Sequence, residues 1–274
     1  MQWSCITSFH ASGFCSPGMT IVLVTGGTGV LGQELVPRLS RAGYRVRIMS
    51  RRSLNVNEGA EAEWAHADLA TGGGLAEAVP GAEAVIHAAS SPFRRTRAID
   101  VDGTARLLER ARAAGLAHFI YISIVGIDRI PLSYYRHKLA AEWLVEQANV
   151  PWSILRATQF HTLIDRQLRP LLWTPITFLP TDFRFQSIDP GEVADRLLEI
   201  VAAGPSGHLP DLGGPEVLSL GDMARTWMRA RGVRRPLIRL PLPGQAAHGF
   251  RQGYNTCPEN RQGKLTWAEW VRRK

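Results

Sequence analysis

The sequence predicts an α/β fold, a doubly wound parallel sheet with a small C-terminal cap, and three observations predict it. From Thr20 to about Arg156, short apolar runs alternate with segments of helical period, which is how a parallel sheet covered on both faces reads. The glycine-rich run Thr25-Gly26-Gly27-Thr28-Gly29-Val30-Leu31-Gly32 directly follows the first apolar run, Ile21-Val22-Leu23-Val24. After Arg156 the alternation loosens into stretches rich in Leu, Pro, Trp and Gly.

Taken in order, the strands are expected at 20–25, 45–49, 62–65, 84–88, 118–123 and 152–156, with helices at 31–42, 74–79, 101–114 and 134–148. Leu31, Leu35, Val36 and Leu39 recur at helical spacing, and Gly43 ends that helix. Ser133 stands where it can cap the helix that follows it. Phe185 to Ile188 reads as a strand, and Val193 to Val201 as a helix with Leu197, Leu198 and Val201 apolar. Trp267-Ala268-Glu269-Trp270-Val271 reads as an amphipathic closing helix whose tryptophans anchor packing.

These elements predict a nucleotide domain at 19–160, completed by about 185–203, and a cap on the substrate side assembled from 161–184 and 204–274. Residues 1–18 carry no basic n-region and no sustained apolar core, so they do not read as a signal peptide. A disordered extension, or translation starting at Met19, is expected there.

Composition narrows the function classes. No apolar run reaches membrane-spanning length, although Leu171 to Leu179 is locally apolar and broken by Pro175. The formal net charge is +8, and three of the 32 basic residues are lysines, Lys138, Lys264 and Lys274. Arg225, Arg229, Arg231, Arg234, Arg235 and Arg239 form a basic cluster able to attract anions. No aromatic interleaving or nucleic-acid motif accompanies it, so no nucleic-acid partner is expected. Of three cysteines, Cys5 and Cys15 lie in the leading segment and Cys257 alone in the body, which suggests neither a disulfide framework nor a metal site. A reducing, cytoplasmic setting is the expectation.

The glycine run reads as a phosphate cradle at the first strand-to-helix turn. Gly26 permits the tight turn, Gly29 lets backbone approach a pyrophosphate, and Gly32 lets the helix pack closely. Thr28 and the N–H groups of Val30, Leu31 and Gly32 then face the phosphates at the positive end of the helix dipole. At the end of the second strand, Ile48-Met49-Ser50-Arg51-Arg52-Ser53 offers no carboxylate to a ribose hydroxyl. Arg51 and Arg52 instead suit a 2′-phosphate, so NADP(H) is preferred over NAD(H). Asp68 and Leu69 are placed to contact the adenine. Ala88, Ala89 and Ser90 are small enough to let the cofactor lie against the fourth strand. His87 reads as a satisfied core histidine.

The strand Phe119-Ile120-Tyr121-Ile122 delivers Ser123 to its carboxyl end, where open parallel sheets bind ligands. Tyr134 and Lys138 stand four apart on one helical face. A tyrosine, with an ordinary pKa of about 10, needs a nearby cation to exchange protons near neutrality, and Lys138 supplies that field while binding the nicotinamide ribose. Ser123 orients the substrate oxygen. Tyr135 leaves an alternative open, an i,i+3 pair with Lys138. Arg156, Thr158, Gln159, Phe160 and His161 form the loop expected to pass the nicotinamide and substrate.

The TGGTGVLG turn, the set Ser123, Tyr134 and Lys138, and Trp152-Ser153-Ile154-Leu155-Arg156 together resemble the short-chain dehydrogenase/reductase superfamily. More narrowly, the chain resembles its atypical NmrA-like, NAD(P)H-binding branch, which is related to an accessory subunit of respiratory complex I. The resemblance covers residues 19 to 205 well. It implies a Rossmann fold with substrate bound over the nicotinamide by the C-terminal part. Many members of that branch lose the tyrosine and act as redox sensors or structural subunits, whereas this chain keeps Tyr134 at the YxxxK position.

The leading expectation is therefore an NADP(H)-dependent oxidoreductase acting on a small carbonyl or alcohol. Its competitors are a non-catalytic cofactor-binding sensor or complex-associated subunit that recognises a protein partner, and a flavin or quinone reductase favoured by the apolar 160–180 segment.

Overall fold

The computed structural model describes residues 20–51, 62–92, 96–170 and 174–274. The leading segment 1–18, Met19, Arg52 and Ser53 lie outside the described residues.

Among the described residues, nine strands and helices of the first half follow the expected order: β1 (Ile21–Thr25), α1 (Val30–Arg41), β2 (Arg45–Ser50), β3 (Ala62–His66), α2 (Leu75–Ala78), β4 (Ala84–His87), α3 (Asp102–Ala113), β5 (His118–Ile124) and α4 (Ser133–Glu146). A π-helical turn, Arg97–Val101, leads into α3. Then come β6 (Trp152–Ala157), α5 (His161–Leu168), β7 (Thr177–Leu179), β8 (Arg184–Phe185), α6 (Pro190–Ala203), β9 (Gly207–His208), β10 (Leu218–Ser219), α7 (Leu220–Ala230), β11 (Leu237–Arg239), α8 (Gln245–Gln252) and α9 (Trp267–Arg272).

Among the described residues the main sheet has seven parallel strands in the order β3-β2-β1-β4-β5-β6-β9. The chain winds outward from β1 to β3, then crosses back to β4. The crevice at the carboxyl ends of β1 and β4 is thus the switch point where such sheets bind ligands. Alternation along the strands splits the core. Val22, Val24, Ile86, Ile120 and Leu155 face α1 and α6, whereas Leu23, Val85, Phe119, Tyr121 and Ile154 face α2, α3 and α4.

A third core gathers Ile164, Leu168, Phe185, Leu220, Met223, Trp227, Trp267 and Trp270 from the C-terminal half. Trp267 and Trp270 stack with ring centroids 5.6 Å apart, so the closing helix does serve as an apolar anchor. Its start is fixed by a reciprocal cap between Thr266 and Glu269.

Four local expectations need correction. The strand expected at Phe185–Ile188 is shorter and pairs antiparallel with β10, outside the main sheet. The seventh strand is β9, two residues long, whose length gives no alternation to read. His161 begins a helix, α5, with Phe160 as its extended N-cap. In addition, Ser133 is the first helical residue of α4 and caps nothing with its side chain; the extended residue before the helix is Leu132.

Candidate functional site

The cradle is built by contact as well as by conformation. Gly26 has φ of 71°, and a Cβ there would stand 2.8 Å from the Ala89 nitrogen. A Cβ on Gly32 would meet the Gly26 oxygen and Gly27 Cα at 2.4 Å, so the glycine lets α1 close onto the turn itself rather than onto the strand. The Gly29 N–H donates to the Gly26 carbonyl at 2.9 Å, and the first N–H bonded into the helix is that of Gln33, to the Gly29 carbonyl at 2.9 Å. Helix geometry leaves the N–H groups of Val30, Leu31 and Gly32 without intrahelical acceptors beside exposed Thr28 and Gly29. Tight backbone packing at Gly26 and Gly32, beside exposed Gly29 and a row of N–H donors without intrahelical acceptors, fits a dinucleotide pyrophosphate.

Around it, Arg51 stands exposed just past β2, and its neighbour Arg52 lies outside the described residues. Asp68 folds its carboxylate back, accepting from the Ala70 N–H at 2.9 Å, while Leu69 is buried against Gly103. Ala88 and Ala89 form the half-buried wall that touches Gly26.

Beneath that wall runs a neutral network. The Ala89 N–H donates to Thr25 Oγ1 at 3.1 Å, and the Thr104 hydroxyl donates to the Asp100 carbonyl at 2.8 Å. His87 lies between the two threonines, with Nδ1 2.7 Å from Thr25 Oγ1 and Nε2 2.9 Å from Thr104 Oγ1. Those directions assign the proton to Nε2. Burial pulls the imidazole pKa down to about 3, helped by the charge of Lys138. His87 is a satisfied core histidine, as expected.

On the other side of the crevice the groups are charged. Lys138 is 3% exposed; its Nζ donates to the Ile122 carbonyl at 2.6 Å and lies 4.0 Å from the centre of the Tyr121 ring. Burial pulls the ammonium down to about 8, against the opposing pull of Asp100 and Glu142. One residue beyond Ile122, the Ser123 hydroxyl is buried and hydrogen-bonds to no protein group. The Tyr134 hydroxyl lies 2.8 Å from Ser90 Oγ, which donates to Asp100 Oδ1 at 2.5 Å; the Ser91 N–H holds Oδ2 at 3.1 Å. Because the buried carboxylate accepts, the line of donation runs from Tyr134 through Ser90 to Asp100. Burial, reinforced by Asp100, raises the Tyr134 pKa above the ordinary phenol value.

Thus Ser123, Tyr134 and Lys138 are gathered around the ends of β4 and β5, yet no hydrogen bond joins Tyr134 to either of the other two. Tyr135 packs with Ile127 and Ile130 in a cluster that the Tyr134 ring also touches, but its hydroxyl turns away to accept from Gln159 at 3.4 Å.

The loop after β6 is occupied by structural bonds. Arg156 grips the buried Glu142 carboxylate through two bonds, of 2.9 and 2.6 Å, and ties β6 to α4. Thr158 accepts from the Gly214 N–H at 3.3 Å, and Gln159 accepts from Asn255 at 3.2 Å. The Phe160 carbonyl accepts from the N–H groups of Leu163 and Ile164, opening α5. His161 is fully buried, with Nε2 3.0 Å from the Leu265 carbonyl and Nδ1 2.8 Å from Ser187 Oγ; it packs against Trp267 and Trp270.

Sequence reading overlooked Asp100 and Glu142, which charge the corner, and the Ile122 carbonyl that holds Lys138. A signal for Asp100 existed. It stands between Ile99 and Val101, four residues before Thr104, where an acid is out of place unless something buried needs it.

Fold and cradle together define a Rossmann-type dinucleotide-binding protein. The comparisons agree: the NAD(P)H-binding family matches residues 26–202, and the chain belongs to it. Its relatives place it among the atypical, NmrA-like short-chain dehydrogenase/reductase proteins, an oxidoreductase-type family. It is 31% identical over 257 residues to the photosystem II assembly factor Ycf39 of Trieres chinensis, covering 85% of this chain and 78% of that one. It is 32% identical over 241 residues to the ceramide reductase of Caulobacter vibrioides, covering 82% and 74%. The NADPH-dependent quinone oxidoreductase of Escherichia coli, solved with NADPH, superposes with a TM-score of 0.78 at 18% identity over 92% of this chain and 99% of that one, a likeness of fold.

Proposed function

We propose that the protein is an NADP(H)-dependent oxidoreductase that interconverts a small carbonyl compound and its alcohol. The observation that carries this reading is Ser123, a buried hydroxyl without a partner at the carboxyl end of β5, one residue from the carbonyl that holds Lys138. An unsatisfied buried hydroxyl is unfavourable by about 1–3 kcal/mol, and a substrate oxygen would satisfy it.

In this reading Gly26, Thr28, Gly29 and the N–H groups of Val30, Leu31 and Gly32 hold the pyrophosphate. Arg51 and Arg52 take the 2′-phosphate, Asp68 and Leu69 border the adenine, and Ala88, Ala89 and Ser90 leave room along β4. The pieces 161–184 and 204–274, apart from β9, cover the substrate, with Arg156, Thr158, Gln159, Phe160 and His161 shaping the loop beneath it. When bound, the reduced nicotinamide supplies hydride. Ser123 positions the substrate oxygen and Tyr134 exchanges its proton. Lys138 has donors left after bonding Ile122 and offers them to the ribose. Ser90 and Asp100 hold the Tyr134 hydroxyl and give it a route for proton return.

Tyr134→Phe tests the assignment. NADPH oxidation with a panel of aldehydes and ketones should fall roughly 100-fold or more in kcat, with NADPH affinity by calorimetry almost unchanged. Unchanged turnover would remove Tyr134 from the chemistry.

A second reading rests on one observation: the Tyr134 hydroxyl bonds to Ser90, and through it to Asp100, rather than to Ser123 or Lys138. It makes the chain a cofactor-binding protein that acts through a protein partner, in keeping with its likeness to an assembly factor. Cofactor binding without turnover, together with a partner whose affinity follows the redox state of the cofactor, would support it.

A further inference from the structure

The basic cluster noted in the sequence divides: Arg225 and Arg231 pair with Asp222 and Asp165, whereas Arg234, Arg235 and Arg239 belong to a ribbon with an unusual surface. β7 and β11 pair in parallel, Thr177 with Leu237 and Phe178 with Ile238. One face of this ribbon is turned inward: Thr177 is fully buried, and Leu179 and Leu237 pack on the third core. The other face carries Ile176 and Phe178 from one strand and Ile238, Leu240 and Leu242 from the other, at strict two-residue spacing. These five account for five of the seven large apolar side chains exposed among the described residues, with Phe178 at 55%. Pro241 and Pro243 interrupt the chain past β11, so no further strand can pair there through those positions.

The same ribbon is positively charged. Arg235 donates to the Thr174 carbonyl at its start, and Arg234 stands exposed beside it. Arg239, exposed, alternates to the side of Leu237, where it borders the apolar face, and Arg251 reaches the Leu242 carbonyl at 2.5 Å. Against these four arginines, residues 174–183 and 234–251 contain one acid, Asp182, which Arg239 and Arg251 share at 2.7 Å. An apolar face flanked by arginines, with one acid among them, complements a layer that is anionic outside and hydrocarbon within. An acidic protein surface would match the arginines but leave Phe178, Ile238 and Leu240 against polar groups.

We propose that the outer face of the β7–β11 ribbon docks the protein peripherally on an anionic phospholipid bilayer. Phe178, Ile176, Ile238, Leu240 and Leu242 enter the interface, while Arg234, Arg235 and Arg239 meet the headgroup phosphates. The inference is independent of the reading of the catalytic corner.

Co-sedimentation of the full chain with vesicles tests it. Binding is expected to vesicles of phosphatidylcholine mixed with phosphatidylglycerol, with little to phosphatidylcholine alone, and to weaken as salt rises. Phe178→Ser with Ile238→Ser should weaken it roughly 100-fold, and Arg234→Ala with Arg239→Ala roughly 30-fold. NADPH affinity by calorimetry should stay unchanged in both, which verifies that the variants are folded. The proposal is overturned if the wild type binds neither vesicle, if it binds both equally, or if the serine variant binds as well as wild type. It is also overturned if the serine substitutions instead dissociate a dimer seen by light scattering, since the ribbon would then be covered by a second copy.

Discussion

The two sides of the nucleotide crevice are held by opposite means. The β1–β4 side is neutral, and every polar group of Thr25, His87, Thr104 and the Ala89 N–H finds a protein partner. The β5–α4–β6 side, with the turn that leads into α3, buries an ammonium, two carboxylates and two hydroxyls without a protein partner, those of Tyr121 and Ser123. The satisfied side-chain network rigidifies the wall, so the groups that this side offers a ligand are the backbone N–H donors of the cradle above it. Buried charge with an orphan hydroxyl is maintained at a thermodynamic loss, which is where function is to be sought.

The largest test strikes the charged side. Arg156→Leu leaves the Glu142 carboxylate, 2% exposed, without its guanidinium, and should lower stability in urea unfolding by about 3–5 kcal/mol. Adding Glu142→Leu should restore most of that loss; failure to do so would show that the pair does more than neutralise itself.

Gly32→Ala probes the neutral side. Its Cβ would stand 2.4 Å from the Gly26 oxygen, so about 2–3 kcal/mol of stability and NADPH binding by calorimetry should be lost together. Retained binding would mean that the turn can move without harm to the cradle.

pH reads the same side through His87. Its folded pKa, about 3, lies below the ordinary 6.5, so the unfolded chain binds the proton more readily. The contribution is intact above about pH 6.5 and is lost as pH falls toward 3, by about 2 kcal/mol between pH 7 and 5. His87→Gln should reduce the measured pH 7-to-5 loss by about that amount.

Ser123→Ala should have the smallest effect on stability, between none and a gain of about 1 kcal/mol, because no protein bond is broken. A loss above about 1 kcal/mol in the same urea experiment would show the hydroxyl to be structural and weaken its assignment to substrate.

What the sequence revealed follows the range of the interactions. The six strands from 20 to 156, the helices between them and the cradle are local: alternation, helical spacing and glycine placement lie within a few residues of one another. The edge strand β9 was hidden because two residues carry no period, and the strand at Phe185 was misplaced because its partner, β10, lies some thirty residues further on.

The site divides in the same way. Tyr134 and Lys138 were legible together because a helix sets residues four apart on one face. That the Tyr134 hydroxyl turns to Ser90 and Asp100, that Arg156 is bound to Glu142, and that His161 is locked between Ser187 and Leu265 depended on side chains from distant segments. The sequence alone determined the backbone of the cofactor site, since periodicity and glycine are properties of neighbours. Only the tertiary structure decided which buried polar groups satisfy one another and which, Ser123 among them, are left without a protein partner.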